Sequence, residues 1–212
     1  MQQDYSKISS TRVLVADANS TDGTPDVVMS YADHLNVAVI RGGMPAVGRN
    51  RGAALASSRY VLFLDADIEL ADSTLLRRVI ERANHKGLQL VTTNIICRDG
   101  GLTDKVLYFG NSLFQHLSRL HKPFSTAMFM FFETATFHQL GGFNERVDFA
   151  EDYLLSQRVA RGKFAVVRGG VYTTNRRFKK MGHLRVARLF LTTAFNYWNE
   201  SFFLRDHKYW QT

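Results

Sequence analysis

The sequence is poor in cysteine, because Cys97 is the only one among 212 residues. A single thiol excludes a disulfide framework and argues against a cysteine-based zinc site. A reducing, cytosolic compartment is the simplest explanation, and we expect Cys97 to be a small apolar core residue. The first 30 residues carry no cationic start followed by an apolar run, so no signal peptide is visible.

Long apolar runs are absent as well. The longest candidate, 189–199, is shorter than the ~20 residues that a membrane-spanning helix needs, and polar residues interrupt it. We therefore expect a cytoplasmic protein, either in the cytosol or at the inner face of the cell membrane.

Acidic residues are outnumbered, with 19 Asp and Glu against 27 Lys and Arg, and the formal net charge is +8. This balance favours phosphate-bearing partners, namely nucleotides, nucleic acid or anionic membranes, without choosing among them. No recognised nucleic-acid motif accompanies the charge, so we expect no nucleic-acid partner. With 45% hydrophobic residues, the chain is large enough for one sizeable core.

The first third of the chain alternates short apolar strands with helices. Strands are predicted at 12–16, 37–40 and 60–64, and Pro25 and Pro45 each mark a helix start between them. This alternation is typical of βαβ units. It predicts an α/β fold with a mostly parallel sheet flanked by helices.

The rest of the chain is predicted to add further helices and strands. Two helices are expected at 103–120 and 150–162, and a long amphipathic helix at 182–205. We expect a catalytic domain over 1–181. The remaining residues, 182–212, are expected to pack on the core, on a partner such as a second copy, or on a membrane surface.

Three carboxylates follow predicted strands, at the edge of the sheet where ligands bind in open α/β folds: Asp17, Asp65 and Asp67. On an extended chain, residues two apart point the same way, so Asp65 and Asp67 are expected to converge. Converging carboxylates are unfavourable unless a cation or a shared proton lies between them. Hard oxygen ligands suit Mg²⁺ or Mn²⁺. The alternative is a capping turn in which Asp67 binds nearby backbone amides.

Two further polar groups lie near predicted helix starts. Arg49 and Arg51 follow a Gly-Gly turn, where an arginine fork and a helix N-terminus both favour phosphate, and a solvated basic face is the alternative. Glu151 and Asp152 open the helix predicted at 150–162. Carboxylates there can simply complement the helix dipole, or one can take a proton from an alcohol.

The order of these motifs resembles that of glycosyltransferase family 2, the inverting enzymes with a GT-A fold. The matching segments are VADANSTDGT, GRNRGAALA, YVLFLDADI, LGGFNE and AEDYLLSQRV, which lie in this order between residues 10 and 180. Each motif is weak alone, but five in order are specific. The resemblance implies transfer of a sugar, as by a hexosyltransferase, from a nucleotide-diphosphate donor to a hydroxyl of a saccharide or lipid-linked acceptor, with a UDP-sugar as the expected donor.

The resemblance also implies roles for single residues in the donor site. Asp17 would bind the nucleotide base, Arg49 would lie against the nucleotide and diphosphate, and Asp65 would face the ribose. Asp67, of the Asp-x-Asp motif, would hold Mn²⁺ or Mg²⁺ with Asp65 beside it, and the metal would stabilise the departing nucleoside diphosphate.

The acceptor side follows from the same resemblance. Asp152 would be the general base that deprotonates the acceptor hydroxyl, and its neighbour Glu151 stays a second candidate. Arg176 and Arg177 match a basic segment that clamps the diphosphate or an anionic acceptor, and a solvated loop is the alternative for both.

Two features depart from the family pattern. The family's first strand and most of its first helix have no counterpart before QQDY, and Ala18 stands where a second aspartate is common. The missing strand normally borders the nucleoside pocket. The alternative function is therefore a catalytically impaired nucleotide-sugar-binding or scaffolding protein.

The C-terminal segment raises the question of membrane contact. Aromatic residues of 182–212 alternate with lysines and arginines, a composition that suits a membrane interface. Packing against the core or against a second subunit in a homo-oligomer would use the same stripe. Both readings, a peripheral membrane protein and an oligomer, stay open.

Overall fold

A computed structural model describes residues 3–196 and 199–205 of the chain. Within these residues the strands are β1 (Val13–Asp17), β2 (Val37–Arg41), β3 (Tyr60–Leu64), β4 (Glu69–Leu70), β5 (Leu90–Cys97), β6 (Phe129–Glu133) and β7 (Phe164–Thr173). The helices are α1 (Thr24–Met29), α2 (Pro45–Ala54), α3 (Leu75–Lys86), α4 (Leu102–Ser118), α5 (Thr134–Gln139), α6 (Glu151–Ser156), α7 (Arg176–Met181), α8 (His183–Phe195) and α9 (Glu200–Phe203). Short 3₁₀ turns lie at Ile8–Ser10 and Arg161–Lys163.

The strands form two hydrogen-bonded sheets. Strands β1 and β2 pair in parallel, with Val13 opposite Val37 and Asp17 opposite Arg41. The larger sheet has the strand order β3-β6-β5-β7-β4. Strands β3 and β6 are antiparallel, as are β5 and β6 and also β4 and β7, whereas β5 and β7 run parallel.

The predicted α/β class is therefore confirmed, but the prediction of a mostly parallel sheet is wrong. The sheet is mixed, because β6 enters between β3 and β5 in the opposite direction. The apolar run Phe129–Phe132 has the composition of a strand buried on both faces, and such a run carries no signal of its direction.

Strands β5 and β6 separate the core into two layers. Along β6, Phe129 and Phe131 face one apolar cluster, which includes Leu75 and Val79 of α3. The alternate residues of β6 face a second cluster, formed with α2, α5 and α6. This alternation follows from the two-residue period of a strand. Helices thus cover both faces of the sheet.

The C-terminal segment differs from the single long helix predicted at 182–205. Helix α8 ends at Phe195, and α9 begins at Glu200. Phe203 of α9 is buried against Phe149 and Tyr153, so this part of the segment packs on the core. The helix predicted at 182–205 also included Tyr197 and Trp198. These two residues, and those after Arg205, lie outside the described part of the chain. None of the described helices is both long and apolar enough to cross a membrane.

Candidate functional site

Arg49 of α2 joins two distant motifs. Its Nη2 donates to Asp65 Oδ1, at the end of β3, over 2.6 Å, and its Nη1 donates to Glu151 Oε1, the first residue of α6, also over 2.6 Å. The Arg49 side chain is largely buried, and its guanidinium lies 5.5 Å from the centroid of the Phe143 ring. Burial acts to lower the pKa of Arg49, but the two carboxylates outweigh it and raise that pKa overall. Arg49 therefore stays charged and holds α6 against the end of β3.

The two carboxylates at the start of α6 differ in their surroundings. Burial, followed by the charge of Asp152, raises the pKa of Glu151 to about 7, although Arg49 opposes this. Asp152 is only partly buried, and it accepts hydrogen bonds from the amides of Ala127 and Tyr153, each over 2.7 Å. Burial also raises the pKa of Asp152. One carboxylate is thus paired with the arginine, while the other is held by two backbone amides.

Backbone strain marks the turn that positions these carboxylates. Ala150, immediately before α6, has a φ of 60°. A non-glycine residue in the left-handed region costs roughly 1–2 kcal/mol, and such strain is often found at functional sites. Asn19, two residues after Asp17, has a φ of 66°. Both strained residues therefore lie beside carboxylates that the sequence singles out.

The two aspartates after β3 have different arginine partners. Asp65 binds Arg49, whereas Asp67 Oδ2 accepts from Arg176 Nη2 of α7 over 2.9 Å. Residues 66–67 form a turn, so the same-face rule of an extended strand does not hold through Asp67. Asp65 thus shares Arg49 with Glu151, whereas Asp67 is paired with Arg176.

Asp17 lies apart from this network, in a cavity of about 240 Å³ between β1 and the start of α2. Its Oδ2 accepts from the amide of Ser20 over 3.0 Å, and hydrogen bonds from Ser20 lower the pKa of the Asp17 carboxyl. Arg51 also lines the cavity, and its Nη1 donates to the Gly42 carbonyl over 2.5 Å. Arg51 thus fixes the turn before α2.

A contact that was not predicted joins α2 to the LGGFNE segment. Asn50 Oδ1 accepts from the Phe143 amide over 2.9 Å, and Asn50 Nδ2 donates to the Phe143 carbonyl over 2.9 Å. Gly142 has a φ of +69°, and a Cβ there would lie 2.7 Å from Asn50 Oδ1. The Asn in GRNRG and the second glycine in LGGF are the signals that could have indicated this contact.

A second, more open cavity of about 470 Å³ adjoins Arg176. Three cations line it, Arg176, Lys179 and Lys180, together with Asp99. Arg177 instead is half-buried, and its charge acts on Tyr108 of α4. Arg176 therefore shares this cavity with two lysines, Lys179 and Lys180, that were not predicted to lie at the site.

The described residues contain no group of three or more His, Cys, Asp or Glu side chains arranged to hold a metal ion. Asp67 is a half-exposed carboxylate whose side chain is 41% exposed, next to Asp65. Magnesium sites often use only one or two carboxylates and take their other ligands from substrate phosphates. The oxygen donors present therefore suit Mg²⁺ or Mn²⁺ that arrives with a diphosphate.

A family model for Glycosyl transferase family 2 matches residues 2–141, which is more than half of the chain. The chain belongs to glycosyltransferase family 2. The resemblance drawn from the five motifs is confirmed. A curated family relative, the O-antigen chain rhamnosyltransferase WbaN of Salmonella anatum, is 24% identical over 170 residues, which are 74% of this chain and 53% of WbaN.

Solved structures of other glycosyltransferases share the fold. S. aureus TarS 1-349 in complex with UDP-GlcNAc superposes with a TM-score of 0.64 at 21% identity, over 81% of this chain and 51% of TarS. Mannosyltransferase PcManGT from Pyrobaculum calidifontis, in complex with GDP-Man and Mn²⁺, gives a TM-score of 0.65 at 20% identity, over 89% of this chain and 57% of PcManGT. The predicted GT-A fold is thus confirmed. The family-2 chain spans about half the length of each of these three proteins.

Proposed function

We propose that the protein is a metal-dependent, inverting glycosyltransferase that moves a sugar from a nucleotide-diphosphate donor, a UDP-sugar, to an acceptor hydroxyl. The observation that carries this proposal is the double ion pair of Arg49, which joins Asp65 of the Asp-x-Asp motif to Glu151 beside Asp152. A transferase needs its donor-binding and proton-accepting groups close together, and the two ion pairs of Arg49 support such an arrangement.

The donor would lie along the sheet edge from β1 to α7. Asp17 would bind the base in its cavity beside Arg51, and Asp65 would face the ribose. Arg176 would contact the diphosphate from its exposed position next to Asp67. TarS binds UDP-GlcNAc and PcManGT binds GDP-Man, so the fold accepts more than one nucleotide. The choice of uridine rests on the family resemblance of Asp17.

Local charge supports a metal requirement. Four carboxylates, of Asp65, Asp67, Glu151 and Asp152, lie close to the ion-paired Arg49 and Arg176, so acidic groups are concentrated at the site. A diphosphate adds further negative charge, and like charges at short range are unfavourable. We expect Asp67, with Asp65 beside it, to hold Mn²⁺ or Mg²⁺. When bound, the ion would act as a Lewis acid that stabilises the departing nucleoside diphosphate.

Asp152 is the better candidate for the general base. Glu151 is buried and ion-paired to Arg49, whereas Asp152 is partly exposed. The carboxylate of Asp152 would accept the proton of the acceptor hydroxyl while that oxygen forms a bond to the anomeric carbon and the bond from that carbon to the diphosphate breaks. Its raised pKa makes it a stronger base than an ordinary aspartate. One such displacement inverts the configuration.

Thermal unfolding in the presence of UDP-sugars and GDP-sugars, with and without Mn²⁺, tests the donor site. We expect a donor to raise the melting temperature only when the metal is present, and Asp67→Ala to abolish that shift. The exposed Asp33, in the chain after α1, provides a matched control, since Asp33→Ala should keep the shift. Equal stabilisation of Asp67→Ala and the unaltered protein would remove Asp67 from the site.

A transfer assay with Asp152→Asn tests the catalytic step. The variant should bind the donor as before and lose transfer by about 10²-fold or more. Retained transfer would exclude Asp152 as the base. Donor binding by the unaltered chain with no transfer to any acceptor would favour the alternative, a nucleotide-sugar-binding protein.

A further inference from the structure

Helix α4 is amphipathic in the inverted sense. Its buried positions are mostly polar and comprise Asp104, Tyr108, Ser112, Gln115 and Ser118. Its outward positions are apolar and between 46% and 80% exposed, and comprise Leu102, Val106, Phe109, Leu113 and Leu117. The outward residues recur at intervals of three and four, so they form one continuous stripe along the helix. An ordinary surface helix presents the opposite arrangement.

The inward polar side chains have well-formed partners. Ser112 Oγ accepts from the Ile95 amide over 2.9 Å, and Gln115 Nε2 donates to the Thr93 carbonyl over 3.1 Å. Asp104 accepts from the Gly101 amide over 2.9 Å and lies 2.6 Å from the His183 ring nitrogen. Turning the apolar side inward would break these bonds to β5 and leave buried polar groups unpaired. These hydrogen bonds therefore fix which side of α4 faces the core, so the apolar stripe faces outward.

Helix α8 packs beside α4 and also carries exposed apolar residues. Val186 of α8 is buried in the core, while Leu184, Leu191 and Phe195 are largely exposed and lie on one side of that helix. Single exposed apolar residues are ordinary, but a stripe of five along α4, with further exposed apolar residues on the helix packed beside it, marks an interaction surface. We name the outward residues of these two helices the α4–α8 face.

Among the described residues, the exposed charged side chains of α4 and α8 are cations. No Asp or Glu occurs between Lys105 and Phe132, or between Arg176 and Asn199. The exposed cations beside the apolar stripes are Lys105, Arg119, Arg185 and Arg188. An apolar face bordered by Lys and Arg is the composition of helices that lie in the interface of an anionic bilayer. In a symmetric pair of copies, the same cations would be brought together and would repel.

We propose that the α4–α8 face docks on an anionic membrane surface, with both helices lying in the plane of the lipid headgroups. The apolar stripe of α4 enters the boundary of the acyl chains, and the flanking cations contact lipid phosphates. This proposal involves a surface separate from the donor site, and it holds whether or not the protein transfers a sugar.

Flotation of the full chain with lipid vesicles tests this docking. We expect the protein to float with phosphatidylcholine vesicles that contain phosphatidylglycerol and to float poorly with pure phosphatidylcholine. Phe109→Glu/Leu113→Glu should lower the partition coefficient by about tenfold or more per residue. Val27→Glu/Met29→Glu is a matched control, since these apolar side chains are similarly exposed on α1, and it should float as the unaltered chain does.

A second variant, Leu102→Gln/Leu117→Gln, tests both ends of the stripe without adding charge, and it should also reduce flotation. Melting temperatures and the donor-induced shift should be unchanged in all variants, because the altered side chains are exposed. Equal flotation of the α4 variants and the control would overturn the proposal. A concentration-dependent dimer in sedimentation velocity that Phe109→Glu/Leu113→Glu dissociates, with no vesicle binding, would assign the face to a second copy instead.

Discussion

The stability of the protein should depend on pH through Glu151. This side chain is 8% exposed, and its pKa is raised from an ordinary 4.5 to about 7, first by burial and then by the charge of Asp152. Between these two values the folded protein binds a proton that the unfolded chain has released. The free energy of unfolding therefore falls as the pH rises through this window. With about 1.4 kcal/mol per pH unit, the contribution lost between pH 5 and pH 8 is about 2–3 kcal/mol.

Glu151→Gln removes this titration while it keeps the size of the side chain and an oxygen that can accept from Arg49. Urea unfolding at pH 5, 6, 7 and 8 should show that the unaltered protein loses about 2–3 kcal/mol more stability than the variant over this range. Because the charges of Glu151 and Asp152 interact, the difference reports the titration of the pair with and without the Glu151 proton. Glu81→Gln, on the exposed side of α3, should leave the pH dependence unchanged. Parallel curves for the unaltered protein and Glu151→Gln would refute the reasoning.

Two further predictions concern the contacts around this helix. Arg49→Met leaves two largely buried carboxylates without their shared cation, so urea unfolding at pH 8 should show a loss of about 3–5 kcal/mol, and a smaller loss at pH 5. Gly142→Ala should lower the melting temperature more than Gly141→Ala. Both glycines have positive φ, but only the Cβ at Gly142 meets Asn50, whereas nothing lies within 4 Å of a Cβ at Gly141, so equal losses would contradict the role of that contact.

Local sequence signals predicted the elements that local chemistry determines. Strand β3 has the predicted bounds 60–64, and α2 begins at Pro45 as predicted. Gly87 follows α3 with a φ of 55°, in the left-handed conformation typical of a terminal glycine. The order of the motifs also identified the family. Each of these features depends on residues that are neighbours in the chain.

Features that depend on distant residues were not predictable. The two ion pairs of Arg49 span 16 and 102 positions, and no periodic pattern encodes them. The apolar pattern of α4 predicted a helix, but it could not show that the core would receive the polar side, since that choice depends on hydrogen bonds to β5. Helix α6 ends at Ser156 rather than continuing to 162, because the chain then turns towards β7.

The two aspartates after β3 differ in how tightly they hold their arginines, and this difference bears on their roles. Asp65 pairs with Arg49, and both side chains are largely buried, so separating them would leave an uncompensated charge. Asp67 pairs with Arg176, whose side chain is 77% exposed, and such a surface pair contributes about 0–1 kcal/mol. Exchanging this arginine for a divalent ion therefore costs little at Asp67 and much at Asp65. We infer that Asp67 is the carboxylate that accepts the metal, and that its release frees Arg176 to contact the diphosphate.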